Sequence, residues 1–308
     1  LIGTSQHRLD TRAKVDGSAV YGIDVRRPGM LYASVERCPI FGGSLKKPSS
    51  EQIAAWKTMA AKVPGVLDLA LVNNGVVVFG EHTWACFQGR NAISAEIEWD
   101  PGESAQLSSD SLRKQAIALI DSAPSARSEG DAERSMTQAK ASGHKLLEAV
   151  YEVPYLAHTP MEPLNATVEL SADGKQAQAW LSTQSPSRAQ KAIADELGLE
   201  LSQVNVQRTW LGGGFGRRSQ PDFAKDGAAV VKAARELGLT KAGESTCVKV
   251  TWTREDDVRG GRYRPMAYNV FKGALNASGE AEAWSHRIAS PSILRSLGRS
   301  LDKPDGSS

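Results

Sequence analysis

The segment richest in chemical possibility is Leu211-Gly212-Gly213-Gly214-Phe215-Gly216-Arg217-Arg218. Its glycines carry no Cβ, so the backbone can take positive φ there and come close to a ligand. Free N–H groups in such a turn bind phosphate or other oxyanions, and the Arg pair adds charge and forked donors. The GK[ST] ending of a Walker A loop is absent, and the spacing does not match GxGxxG. A tight strand-to-helix connection with an exposed basic tip accounts for the same residues.

Further candidates lie on either side of that turn. Thr183-Gln184-Ser185-Pro186 places an amide side chain between a predicted strand and a helix N-terminus, the edge at which α/β units bind ligands. Satisfying loop backbone groups is the plainer role for Gln184. His158 and Glu162 bring an imidazole and a carboxylate close in sequence, as acid–base work or metal binding requires. Pro160 and Pro163 oppose the helix that would set both on one face, so a pair with no catalytic part remains open. His7, His82, His144 and His286 lack ligand spacing such as HExxH. Trp252-Thr-Arg254-Glu-Asp256-Asp257, with Arg262 and Arg264 beyond it, reads as a solvated, charge-dense loop after a strand. GxSxG is missing, and no Cys neighbours a plausible base, so nucleophilic hydrolysis is not indicated.

The elements that must position these residues alternate between strand and helix patterns. In the first third, strands are predicted over 18–25 and 30–37, and a helix over 50–62 with Ile53, Trp56 and Ala60 on one face. Strands over 66–72 and 75–79 flank the hairpin signal Asn73-Asn74-Gly75. A helix over 83–93, with Trp84, Gln88 and Ala92 stacked, leads to a strand over 95–99. A helix over 108–120 is amphipathic through Leu112, Ala116 and Ile120. Residues 121–143, rich in Ser, Ala, Gly and charge, form the best linker candidate, with room for a short helix over 132–139. Strands follow over 145–153, 166–170 and 176–181. The next helix has Ser185 as N-cap, Pro186 at N1 and Gly198 past its end. A strand over 204–210 enters the glycine-rich turn, a helix over 222–237 leaves it, and strands over 247–253, 266–275 and 280–288 complete the pattern. Two mixed α/β units, divided near residue 140, are expected.

Composition bounds the function classes. At 308 residues the chain has room for about two domains. Lys and Arg number 37 against 35 Asp and Glu, a net charge of +2 that gives no reason to expect nucleic acid as partner. No apolar run approaches the ~18–20 residues of a membrane span. Cys38, Cys86 and Cys247 lie far apart, which excludes an iron–sulfur cluster or four-cysteine zinc site held by this chain alone. The start at Leu1 and the polar tail 301–308 suggest a piece of something larger.

Taken in order, several segments resemble one family, the molybdenum-cofactor subunit of xanthine dehydrogenases and aldehyde oxidases, in its bacterial isoquinoline 1-oxidoreductase β-subunit branch. They are Val15-Asp-Gly-Ser-Ala-Val-Tyr21-Gly-Ile-Asp24, Pro28-Gly-Met-Leu-Tyr-Ala33, Arg37-Cys-Pro-Ile-Phe-Gly-Gly43 and Val63-Pro-Gly-Val66. Tyr151-Glu-Val-Pro-Tyr155, Glu162-Pro-Leu-Asn-Ala166, Thr183-Gln184, Gly212 to Arg218 and the Trp252 to Asp257 run complete the set. The resemblance covers nearly the whole chain.

It implies an α/β (α+β) fold, with residues 1–140 as a hammerhead domain plus linker and 141–308 as the first part of a molybdopterin-binding domain. It further implies that Gln184 donates to an oxo ligand of molybdenum. Gly213, Gly214, Phe215 and Gly216 would lie against the pterin, with Phe215 near the substrate, and Arg262 would align loosely with a substrate-facing Arg. No residue is expected to ligate the metal directly. The implied cofactor is molybdenum-molybdopterin, in its cytosine dinucleotide form, and the implied partner is a small subunit with two [2Fe-2S] centres. The substrate would be an N-heterocycle or aldehyde. Arg217-Arg218-Ser219 stands where the purine enzymes have Gly-Lys-Glu, which counts against xanthine. The family's catalytic base and second cofactor domain lie beyond the matched region, so these residues alone are expected to hold no cofactor and to be inactive. The resemblance leaves the compartment open between periplasm and cytoplasm, with the periplasm slightly favoured. A non-catalytic scaffold with the hammerhead fold is the alternative; a plain phosphate-binding α/β domain fits the turn but not the ordered set.

Overall fold

The computed structural model describes residues 2–73, 75–122, 125, 127–260 and 262–293. Asn74 of the hairpin signal, Gly261 and the tail 301–308 lie outside the described residues. Contacts divide the chain into two units, one from Leu1–Ala105 and His158–Arg262, the other from Gln106–Ala157 and Tyr263–Ser308.

The first unit is built on a seven-stranded mixed sheet. Its order is Val204–Arg208, Ala177–Leu181, Asn165–Leu170, Thr246–Thr251, Leu31–Arg37, Gly75–Gly80 and Val66–Val72. Leu31–Arg37 pairs parallel with Thr246–Thr251, Leu31 opposite Val248, and antiparallel with Gly75–Gly80, Val35 opposite Val77. Gly75–Gly80 is buried along its whole length because both faces are covered. Val77 and Phe79 join a core with helices Pro186–Leu197 and Asp222–Glu236, whereas Val76 and Val78 pack with Trp56, Ala60 and Ile93 on the other side.

This sheet corrects the expected boundary near residue 140. Strands from the first third and from beyond residue 160 share one hydrogen-bonded ladder, so the division of the chain falls instead at 105/106, 157/158 and 262/263. The linker candidate 121–143 lies inside the second unit and contains the helix Ala132–Ala141. That unit has a three-stranded antiparallel sheet in the order Ala281–Ala289, Ala267–Leu275, Lys145–Val153. Ala139, Ala274 and Ala283 form its small core with Met136.

Three local expectations also change. Residues 18–25 form no strand; Gly22–Asp24 is a 3-10 turn whose backbone is satisfied by side chains. The Lys249 ammonium donates to the Ile23 and Val25 carbonyls, and Glu162 accepts from the Ile23 N–H. Helix Thr83–Ile93 buries Ala85, Cys86, Gly89, Arg90 and Ile93 rather than the face of Trp84, because Arg90 must reach a buried carboxylate. Residues 95–99 give a 3-10 turn, Ser94–Glu96, and only Trp99–Asp100 pairs as strand. Helix Pro186–Leu197 follows its signals, with Pro186 in the first turn and Gly198 left-handed at φ 68°, although the Ser185 side chain makes no cap.

Candidate functional site

Past edge strand Val204–Arg208 the chain enters the glycine-rich turn, which runs into the 3-10 turn Arg217–Ser219 and then helix Asp222–Glu236. Gly213 (φ 99°), Phe215 (φ 52°) and Gly216 (φ 94°) are left-handed while Gly214 is not, so handedness alternates from 213 to 215. Alternation of this kind turns successive N–H groups toward one side as an anion-binding concavity. Among the described residues, the N–H groups of Gly213, Gly214 and Phe215 have no hydrogen-bond partner. Phe215 pays a conformational penalty that glycine would not, and the residue is 73% exposed.

Gln184 lies directly beside the turn. A Cβ on Gly214 would stand 2.8 Å from Gln184 Oε1, so no other residue fits there without displacing the amide. Gln184 Oε1 accepts the Gly216 N–H at 3.1 Å, which fixes the amide orientation, since an N–H needs an oxygen opposite it. The two Nε2 hydrogens are left without a partner among the described residues, on an exposed side chain.

The Arg pair points inward, which overturns both the basic tip and the oxyanion clamp. Arg217 is 1% and Arg218 0% exposed. Arg217 makes a bidentate pair with Asp222 at 2.8 and 2.7 Å. Arg218 donates from Nε to Gly213 O (2.8 Å), from Nη1 to Ser182 Oγ (2.8 Å), and from Nη2 to Glu162 O (2.6 Å) and Oε2 (3.1 Å). Burial lowers the Arg218 pKa, with Glu162 opposing the shift.

Glu162 is an acceptor hub, not half of an acid–base pair. Its Oε1 accepts from Ile23 N (3.0 Å) and Asn165 Nδ2 (2.9 Å), and its Oε2 from Gly212 N (2.9 Å). His158 is turned elsewhere, its Nδ1 3.1 Å from Arg262 O, and Arg262 is exposed. The structure therefore brings Gln184, Gly213, Gly214, Phe215 and Gly216 together and does not join His158 to Glu162. Among the described residues no group of His, Cys, Asp and Glu could hold a metal ion. The buried thiols of Cys86 and Cys247 are pushed up to about 12 by burial, which makes them poor nucleophiles.

The charge-dense run is not a solvated loop. Thr253 caps helix Arg254–Arg259, in which Asp256 and Asp257 are buried. Arg90 grips Asp256 at 2.7 and 2.9 Å and Glu36 at 2.8 Å; Arg37 pairs with Asp226, which also accepts from Trp252 Nε1 at 3.1 Å. Burial pushes the Asp256 carboxyl up, but Arg90 and Arg37 outweigh it and hold the carboxyl below its usual range; for Asp257 burial prevails and the shift is upward. Arg254 links the run to the site, donating to Asp257 (2.9 Å) and to Pro160 O (2.6 Å), and a Cβ on Gly213 would stand 3.3 Å from Pro160. The inward roles of Arg218, Glu162 and Arg254 had no periodic signal in the sequence, because each depends on partners remote along the chain.

Free N–H groups beside a fixed neutral amide donor suit a ligand rich in acceptor oxygens. Residues 119–292 match the molybdopterin cofactor-binding domain family. The chain belongs to that family. Isoquinoline 1-oxidoreductase subunit beta of Brevundimonas diminuta is 30% identical over 96% of the chain and 36% of its own length. A membrane-bound aldehyde dehydrogenase [pyrroloquinoline-quinone] of Gluconacetobacter polyoxogenes is 28% identical over 94% of the chain and 36% of its own length. The crystal structure of quinoline 2-oxidoreductase from Pseudomonas putida 86 shares the fold, with a TM-score of 0.61 at 18% identity, covering 92% of this chain and 38% of that one. The chain thus spans about a third of the length of the relatives it matches. The molybdopterin-binding match starts at 119, ahead of the expected 141, and includes both Gln184 and the turn.

Proposed function

We propose that this chain works as part of the large subunit of a molybdenum hydroxylase and forms one wall of its cofactor site. The observation that carries the reading is the hydrogen bond from the Gly216 N–H to Gln184 Oε1, which leaves Nε2 as an oriented donor beside the free N–H groups of Gly213, Gly214 and Phe215. Molybdenum-molybdopterin, in its cytosine dinucleotide form, would supply two-electron oxidation of a carbon centre with oxygen derived from water. Gln184 holds a neutral donor toward the cofactor; an amide has no useful pKa and takes no part as base. Gly213 and Gly214 admit the cofactor to the backbone, and the exposed Phe215 ring offers an apolar face to an N-heterocycle or aldehyde. Arg262 stays a weaker substrate candidate, exposed and joined to His158 through its carbonyl.

Ser219, which stands where the purine enzymes carry a carboxylate, supports a substrate other than a purine. Electrons would pass to a small subunit carrying two [2Fe-2S] centres. The strands and helices of residues 31–93 would be the hammerhead contribution to the sheet. The base and the second cofactor domain are expected in the part of the relatives that these residues do not span, so the 308 residues alone would bind no molybdenum and turn nothing over; stoichiometric molybdenum on the purified chain would refute this.

The test in the longer enzyme is an ordered set of substitutions. Gly214→Val should lose molybdenum, because the new side chain meets Gln184. Gln184→Ala should keep molybdenum and lower kcat by ~10²–10³. Phe215→Ala should mainly raise KM. Full molybdenum and activity in Gly214→Val would reduce the turn to a connection and favour the scaffold alternative.

A further inference from the structure

We infer that Arg218 is the positioning residue of the site: it locks the Gln184 strand end and the glycine-rich turn into one rigid unit through opposite ends of the same residue. Its main-chain carbonyl accepts the Gln184 N–H at 3.0 Å and the Thr183 hydroxyl at 3.1 Å. Its guanidinium, on the other side, donates to Gly213 O at 2.8 Å, to Ser182 O at 3.2 Å and Oγ at 2.8 Å, and to both Glu162 O and Oε2. Glu162 closes the circuit by accepting the Gly212 N–H at 2.9 Å. Three chain segments, 160–163, 182–184 and 212–216, therefore meet on one side chain.

The donor count explains why the residue is arginine. A guanidinium offers five N–H groups in a fixed plane, and Nε, Nη1 and Nη2 all have acceptors here. A lysine ammonium carries the charge from a single point and cannot reach Gly213 O and Ser182 together. Burying a guanidinium beside one carboxylate gives little net stability compared with apolar packing, so its value lies in orientation. What it orients lies at the surface: Gln184, whose Oε1 accepts the Gly216 N–H, and the strained Phe215 are both exposed.

The inference rests on the reading that Gln184 and the turn face the cofactor, but its test needs no cofactor. Residue-resolved amide exchange on the 308-residue chain should follow Gly212, Gly216 and Arg217, bonded to Glu162, Gln184 and Gly214 respectively. Arg218→Lys should speed exchange at these amides by about tenfold, the effect of losing one net hydrogen bond, with strand Thr246–Thr251 unchanged. Arg217→Lys, whose side chain serves Asp222 instead, should leave Gly212 and Gly216 as in the parent. Exchange at the turn that stays at the parent value in Arg218→Lys, or rises only in step with Thr246–Thr251, overturns the clamp; so would a variant with parental protection because charge alone suffices. If Arg218→Lys does not fold, Thr183→Val decides: it removes a hydroxyl that donates to the Arg218 carbonyl at 3.1 Å and accepts the Ser185 N–H at 3.1 Å, so exchange at Ser185 rises in any case, while a several-fold rise at Gly216 supports the clamp and no change there overturns it. Retained molybdenum in Gly214→Val would instead strike at the cofactor reading while leaving these exchange results standing.

Discussion

The turn at 211–216 and the helix Arg254–Arg259 treat their polar groups in opposite ways. In the helix, carboxylates are buried and matched by guanidinium groups, Asp256 by Arg90 and Asp257 by Arg254. In the turn, three N–H groups stay unpartnered among the described residues, one residue is strained, and its aromatic ring is exposed. The first arrangement stabilises; the second gives up stability, which the proposed cofactor-facing role accounts for. They are linked, because Arg254 bonds to Pro160 O, next to the turn. A strained turn needs a rigid neighbour, and the buried ion network provides it.

The sharpest way to break this contrast is Asp256→Ala. It leaves the Arg90 guanidinium buried without its bidentate partner, and such losses destabilise by ~3–5 kcal/mol. Urea denaturation should show this. A change below about 1 kcal/mol would mean that the network is not the rigid half of the pair. Because the folded Asp256 pKa is depressed, its contribution is complete above the unfolded value of about 3.9 and disappears as pH falls through the lower folded value.

Lys249 tests the same idea with a charge that has no bidentate partner of this kind among the described residues. Burial pulls its pKa down to about 8, although it donates to the Ile23 and Val25 carbonyls. Between about pH 8 and the unfolded value of about 10.4 the unfolded chain binds more protons, so stability should rise with pH across that window. The rise is at most ~3 kcal/mol. Lys249→Met should abolish it in denaturation curves taken from pH 7.5 to 10.5; an unchanged slope would assign the rise to other groups.

The smallest effect has the opposite sign. Phe215→Gly should relieve the left-handed strain and raise stability by about 0.5–1 kcal/mol, after glycine's own entropy cost. The same substitution in the longer enzyme should raise KM. If Phe215→Gly is instead destabilised by more than about 1 kcal/mol, the ring is holding the fold together and the turn is not a ligand-facing feature.

Much of the fold and the site was legible in the sequence, for reasons that differ by residue. Pro186 and Gly198 bound their helix because φ preferences act locally. The turn stood out because several glycines in a row leave few explanations for the absent side chains. Thr183-Gln184 became informative only within the ordered set of motifs, since a lone amide says little. The Trp84 face, the strand at 18–25 and the division at 140 were misread where a remote partner outweighed a local pattern: Asp256 for Arg90, Lys249 and Glu162 for the turn at 22–24, and the ladder of Thr246–Thr251 with Leu31–Arg37 for the division.

The sequence by itself determined the membership in the molybdopterin-binding family, the α/β class, most element positions and the glycine-rich turn, all properties carried by neighbouring residues or by the order of motifs. Only the tertiary structure decided where charge goes. Whether Arg217 and Arg218 present a basic tip or vanish into the interior depends on Asp222, Ser182 and Glu162, and whether Glu162 pairs with His158 or anchors Gly212 depends on which segments share its surroundings. Electrostatic and hydrogen-bond partners are chosen by distance in space, and separation along the chain places no limit on them.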